Sequence, residues 1–98
     1  MTADYTEAEL NLVFDWLRAR TLDIRDAPTL PLFIATGMIR AWAAKHGRDR
    51  EAWPNQRAVK ALLIQAGCTA SSVSRPGGRR WGFRGLEVLP DDAPDITE

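Results

Sequence analysis

Apolar positions along the chain repeat with a helical period three times and then switch to alternation. Leu10, Val13, Phe14 and Leu17 form the first helical stripe, with Leu12 and Trp16 widening it on one side. Just ahead of it, Thr6-Glu7-Ala8-Glu9 has the spacing of a capping box, in which the Thr6 hydroxyl accepts from the amide of residue 9 and the Glu9 carboxylate reaches back. The first helix is therefore expected to start here and to run to about Arg20. The stretch from Thr21 to Pro31 carries Asp23, Asp26, Pro28 and Pro31 without a sustained period, which predicts a connecting loop with room for a short extended piece.

From Leu32 to His46 the positions Ala35, Met38, Ile39 and Trp42 share a face, interrupted in propensity by Gly37, and Gly47 stands where a left-handed cap belongs. After the short polar run Arg48 to Trp53, Pro54-Asn55 offers an N-cap. Val59, Leu62, Leu63 and Ala66 then line one face of a third helix that Gly67 stops. Beyond it, Cys68 to Ser74 is rich in Thr, Ser and Val, Arg75-Pro76-Gly77-Gly78-Arg79 is a turn sequence, and Arg80 to Arg84 alternates. Trp81 and Phe83 point one way in that second strand, and Arg80, Gly82 and Arg84 the other. Gly85 bends the chain before Leu86 to Leu89, and Pro90 to Glu98 reads as an acidic, disordered tail.

Three helices followed by a hairpin, with a short link between the second and third, is the order of a winged helix-turn-helix. The expected fold class is thus mainly α with a small β-hairpin (α+β), a winged helix-turn-helix domain over residues 1–89 and a tail over 90–98. In that arrangement the third helix is the recognition helix and the hairpin is the wing.

Charge sharpens this picture. The chain holds 13 basic and 13 acidic side chains, yet residues 37 to 86 contain ten Lys/Arg against only Asp49 and Glu51. A phosphate partner responds to the local field of one face, so overall neutrality does not exclude nucleic acid. Opposite the buried stripe of the third helix lie Arg57, Lys60, Ala61 and Ile64, with Asn55 and Gln56 at its N-terminal end. Arg and Gln make paired hydrogen bonds to base edges, and an exposed apolar group can touch a thymine methyl. Arg75, Arg79 and Arg80 flank a Pro-Gly-Gly tip suited to phosphates or a minor groove. The predicted DNA-binding residues are Asn55, Gln56, Arg57, Lys60, Ile64, Arg75, Arg79 and Arg80. The acidic tail would compete with DNA for this face, so deletion after Pro90 is expected to tighten binding.

The stretch from about Thr36 to Leu89 resembles the C-terminal winged-helix domain of phage- and plasmid-encoded primase-helicase replication proteins. Ile39-Arg40-Ala41-Trp42-Ala43-Ala44-Lys45-His46-Gly47 is similar to that family's Tyr-x-x-Trp run closed by glycine, with Trp42 in the tryptophan's place. Asn55 through Gly67 matches a capped helix ending in Leu-x-x-x-Gly, and Arg79 through Leu86 is similar to the family's basic hairpin and closing Arg/Trp-x-Gly-Leu element. It departs from the pattern where Met38 and Ile39 replace an aromatic, and no helicase or primase region precedes the match. The resemblance implies binding of origin or replication-fork DNA in a mobile genetic element, as the accessory module of a parent helicase.

Other chemistry is weakly represented. His46 is the single histidine and Cys68 the single cysteine, two of the four ligands a zinc site needs, and no phosphate-binding glycine loop is present. No enzyme activity, metal or cofactor is expected. His46 reads as a helix C-terminal cap or dipole partner, Cys68 as a small packed group, and Trp53, just before the third helix, as the one tryptophan with a functional prospect. One cysteine and no long apolar run predict a cytoplasmic chain that stays off membranes. The rival function is a protein-interaction module that docks a replication or regulatory partner through the third helix and wing, or through Leu12 and Trp16 on the first helix.

Overall fold

The computed structural model describes residues 4–24, 29–75 and 78–96, with the side chains of residues 71–81 outside that description. Helix α1 (Glu7–Arg20) opens on the expected capping box: the Glu9 amide donates to Thr6 Oγ1 at 3.2 Å and the Thr6 amide to Glu9 Oε1 at 2.8 Å. Its buried face is Leu12, Val13 and Trp16, whereas Leu10, Phe14 and Leu17 pack at the margin of the core. The expected stripe is therefore rotated by about a quarter turn. Apolar residues occupy more than half of the circumference of α1, so periodicity alone leaves its centre ambiguous, and the bulkiest residue, Trp16, takes the deepest position against the other helices. Leu12 and Trp16 are 0% and 1% exposed, which removes them as a docking surface.

The segment read as a loop contributes a strand to each of two small antiparallel sheets. Strand β1 (Thr21–Leu22) pairs with β5 (Glu87–Val88), and β2 (Leu30–Pro31) pairs with β4 (Gly78–Arg84), which in turn pairs with β3 (Thr69–Arg75). Two-residue strands carry too little alternation to be read, and Pro31 is tolerated because β2 is an edge. Pairing Leu30 with Phe83 and Pro31 with Gly82 brings the chains so close that a Cβ on Gly82 would stand 2.5 Å from Thr29 Cγ2 and 3.1 Å from the Leu30 carbonyl oxygen. Glycine is the residue that lets β2 and β4 meet. The hairpin is also longer than expected: Arg75 opposes Gly78 and Ser74 opposes Arg79, so these two arginines join Arg80, which opposes Val73, in the ladder rather than belonging to a five-residue turn. Residues 76 and 77 of the expected tip lie outside the described residues.

Helix α2 (Leu32–Lys45) follows β2 directly and buries Leu32, Ala35, Thr36, Ile39 and Ala43, with Met38 and Trp42 at the core margin. The buried Thr36 hydroxyl is satisfied by donating to the Leu32 carbonyl at 2.9 Å. Gly47, at φ 65°, ends the helix in the left-handed conformation its position predicted. A single turn of 3-10 helix (Arg50–Ala52) and a fully buried Pro54 connect to α3 (Gln56–Gln65), whose core face is Ala58, Val59, Leu62 and Leu63. Ala66, assigned to that face from its spacing, is exposed because the helix has already ended one residue earlier. Phe83 closes the core from the sheet side at 0% exposure, as the alternation in the second hairpin strand requires, and Arg84 is exposed. No helix among the described residues is long and apolar enough to cross a membrane.

Residues 89–96 do not trail away as a disordered tail. The Arg20 side chain, 10% exposed at the end of α1, gathers the segment by donating to the carbonyls of Pro90 and Ala93, both at 2.6 Å, and to that of Leu89 at 3.4 Å. The Leu89 and Ile96 amides donate to the Arg20 and Ala19 carbonyls, each at 2.8 Å, at the open C-terminal end of α1. Acid-rich composition predicted disorder; what overrides it is a buried guanidinium whose donors this segment satisfies.

Candidate nucleic-acid interface

Helix α3 is held by its core face, so its opposite face is presented outward. Gln56 and Arg57 are exposed there, Ile64 is 46% exposed, and Lys60 and Ala61 are half-buried. This brings together the helical half of the predicted set. Asn55 has a structural role, because its Oδ1 accepts from the Ala58 amide at 2.9 Å and caps α3. The segment before α1 lies along a flank of this helix. Asp4 Oδ1 stands 3.4 Å from Arg57 Nε, and the Tyr5 hydroxyl donates to Gln65 Oε1. At 81% side-chain exposure, the Arg57 pair with Asp4 is a weak, salt-screened contact that a stronger anion can replace.

Arg75, Arg79 and Arg80, the other half of the set, have their backbones in the β3–β4 ladder; the side chains of Arg79 and Arg80, like that of Arg75, are among those left undescribed. Arg84, further along β4, is exposed and donates to Thr29 Oγ1 at 3.4 Å.

Three arginines around the α2–α3 connection were not singled out by the sequence, and all three serve the frame. Arg48 donates to Asp15 of α1 at 2.6 Å and lies 5.9 Å from the Trp42 ring, and Arg40 Nε donates to the Pro54 carbonyl at 2.9 Å. Arg50 sits 5.7 Å over the Trp53 ring. Together they brace the link that sets the angle between α2 and α3. Their trace in the sequence was an excess of base in that stretch and nothing more, because the partners are tertiary. Trp53 belongs to the same bracing: it is half-buried against the core and its indole donates to the Arg48 carbonyl at 3.3 Å, so it is not an exposed stacking platform.

Away from α3, Asp95 accepts from Arg20 at 3.2 Å and from Trp42 Nε1 at 3.3 Å, and lies 3.1 Å from His46 Nε2. Burial acts to raise the Asp95 carboxyl, but the hydrogen bonds from Trp42 and Arg20, with the charges of His46 and Arg20, hold it below its ordinary value. His46 itself is the C-cap of α2, and its ring packs on Trp42 with centroids 4.4 Å apart. Burial, and secondarily the charge of Asp23, pushes the Cys68 thiol up, which keeps it protonated and unreactive near neutrality. Among the described residues no three His, Cys, Asp or Glu side chains come together as metal ligands. Residues 89–96 make their hydrogen bonds and ion pairs with α1 and the C-terminal half of α2, so the segment is engaged there rather than laid over the α3 face. Comparison with protein-family models, with curated proteins and with solved structures found no match.

Proposed function

We propose that the chain is a non-catalytic, cytoplasmic, duplex-DNA-binding module of the winged helix-turn-helix type. The observation that carries this reading is topological: a strand ahead of α2 pairs with the second strand of a basic hairpin, in the order β2-β4-β3, and α3 leads directly into that hairpin. Such an order supports a wing beside a recognition helix. Helix α3, at ten residues, is about 15 Å long, and its outward face suits a major groove about 12 Å wide. In this reading Gln56 and Arg57 address base edges, Lys60 addresses phosphate, Ile64 meets a thymine methyl, and Arg75, Arg79 and Arg80 of the wing hold the backbone. The resemblance to the winged-helix domain of primase-helicase replication proteins supports origin or fork DNA as the target.

The exposed Ile64, flanked by the half-buried Ala61, favours one rival: a protein partner docked on the same face. Salt separates the two. Contact with about five phosphates makes log affinity fall against log salt with a slope of roughly −4 to −5, whereas an apolar protein interface is far less sensitive. Titrating labelled duplex at two salt concentrations tests the reading, and a salt-insensitive association with protein alone would replace it.

A further inference from the structure

We propose that the surface around Arg20 is a receptor for an acidic peptide that turns as it binds, filled in this chain by its own residues 89–96 and open to an acidic segment of a partner protein in their place. Among the described residues, all hydrogen bonds of the Arg20 guanidinium go to that segment: to three carbonyls and to Asp95. The three carbonyls are backbone groups that any sequence supplies. Selectivity comes from Asp95, whose carboxylate meets Arg20, Trp42 Nε1 and His46 Nε2. The Ala93 amide donates to the Pro90 carbonyl at 2.9 Å, so the receptor reads a backbone turn with a carboxylate five residues beyond Pro90.

Two further features make the segment exchangeable. It supplies no residue to the buried core, which ends at Leu86, so it can leave without opening the fold. The groove is also wider than its occupant: a cleft of about 430 Å³ remains between α2 and the segment, bordered by Gly37, Met38, Ala41, Lys45, Val88 and Asp91. That volume falls within the usual range of ligand sites. Gly37 has nothing within 4 Å of where a Cβ would stand, so the fold does not need glycine there, although glycine in a helix interior costs about 1 kcal/mol relative to alanine. An apolar side chain of the incoming peptide would enter over Gly37, and Lys45 at the rim adds a second cation for an acidic ligand. A tethered tail competes at an effective concentration of order millimolar, so the site accepts a partner when the tail is weakened or the partner makes better use of the cleft.

The test uses the full chain and a fluorescein-labelled synthetic peptide with the sequence of residues 88–96, followed by anisotropy. Asp95→Asn in the chain weakens the tethered tail while leaving Arg20, Trp42 and His46 in place. The peptide is expected to bind this variant at least about tenfold more tightly than the wild-type chain, with a change in tryptophan fluorescence from Trp42, and a peptide carrying the same Asn is expected to lose that gain. Equal binding of the two peptides, or no binding to an Asp95→Asn chain with a wild-type circular dichroism spectrum, would overturn the proposal.

Discussion

Asn55 is the predicted DNA contact that also caps a helix, and two substitutions separate these roles. Its Oδ1 accepts from the Ala58 amide at 2.9 Å with extended backbone at the cap (φ −85°, ψ 177°), so Asn55→Ala removes the side-chain acceptor at the start of α3. Loss of such a cap costs about 1 kcal/mol. For a chain of this size that lowers the melting temperature by about 4–8 °C. Asn55→Asp keeps the acceptor and places a negative charge at a helix N-terminus, a stabilising location by about 0.3–1 kcal/mol, so its melting temperature should equal or exceed that of the wild type. On DNA the order of the variants changes. A carboxylate beside a phosphate is repelled by about 1 kcal/mol in water, so Asn55→Asp should weaken duplex binding about fivefold despite its better cap. Thermal unfolding by circular dichroism and duplex anisotropy on the same three proteins give both orders. If Asn55→Ala melts with the wild type, or Asn55→Asp melts as early as Asn55→Ala, the Asn55 side chain is not what holds the start of α3.

Gly82→Ala should destabilise the fold by about 1–3 kcal/mol in urea unfolding, because the new methyl meets Thr29 Cγ2 at 2.5 Å and backbone at 3.1 Å; a neutral result would mean that β2 and β4 do not pair closely. Asp95 has a lowered folded-state pKa, so its contribution is present above the ordinary carboxyl value of 3.8 and is lost as pH falls through the folded value. Melting curves of wild type and Asp95→Asn should therefore differ at pH 6, with the wild type more stable, and converge towards pH 2. Arg57→Ala should reduce discrimination among duplex sequences, whereas Arg79→Ala should weaken all sequences alike and lower the salt slope by about one, and competition titrations showing the reverse pattern would exchange the roles given to helix and wing.

Much of the helical framework was legible because it rests on local rules. The Thr6 capping box, the Asn55 cap and the stops at Gly47 and Gly67 each depend on residues a few positions apart, and all are present. Beyond room for a short extended piece between Thr21 and Pro31, the strands β1, β2 and β5 were not legible, since two residues show no period and pairing such as Thr21 with Val88 is set by the tertiary fold. The centre of the α1 stripe was missed for a related reason: sequence gives which residues are apolar, but neighbours decide which of them is deepest. The C-terminal segment shows the limit of composition most clearly. Its acids predicted a solvated tail, yet its order depends on Arg20, about 70 positions away, and nothing local announces that an arginine at the end of a helix will be buried. Of the candidate site, the outward α3 face followed from helical geometry, while the structural engagement of Asn55 and Trp53 required knowing what each side chain touches.

The most direct test of DNA binding is a fluorescence-anisotropy titration of the full chain with labelled duplex at two salt concentrations, alongside the Arg57/Lys60/Arg79/Arg80 quadruple alanine variant. The expected result is binding that weakens steeply with salt and is lost in a variant that remains folded. No binding at low salt by a protein with a cooperative melt, or binding that the variant retains, would contradict it and turn attention to a protein partner on the α3 face.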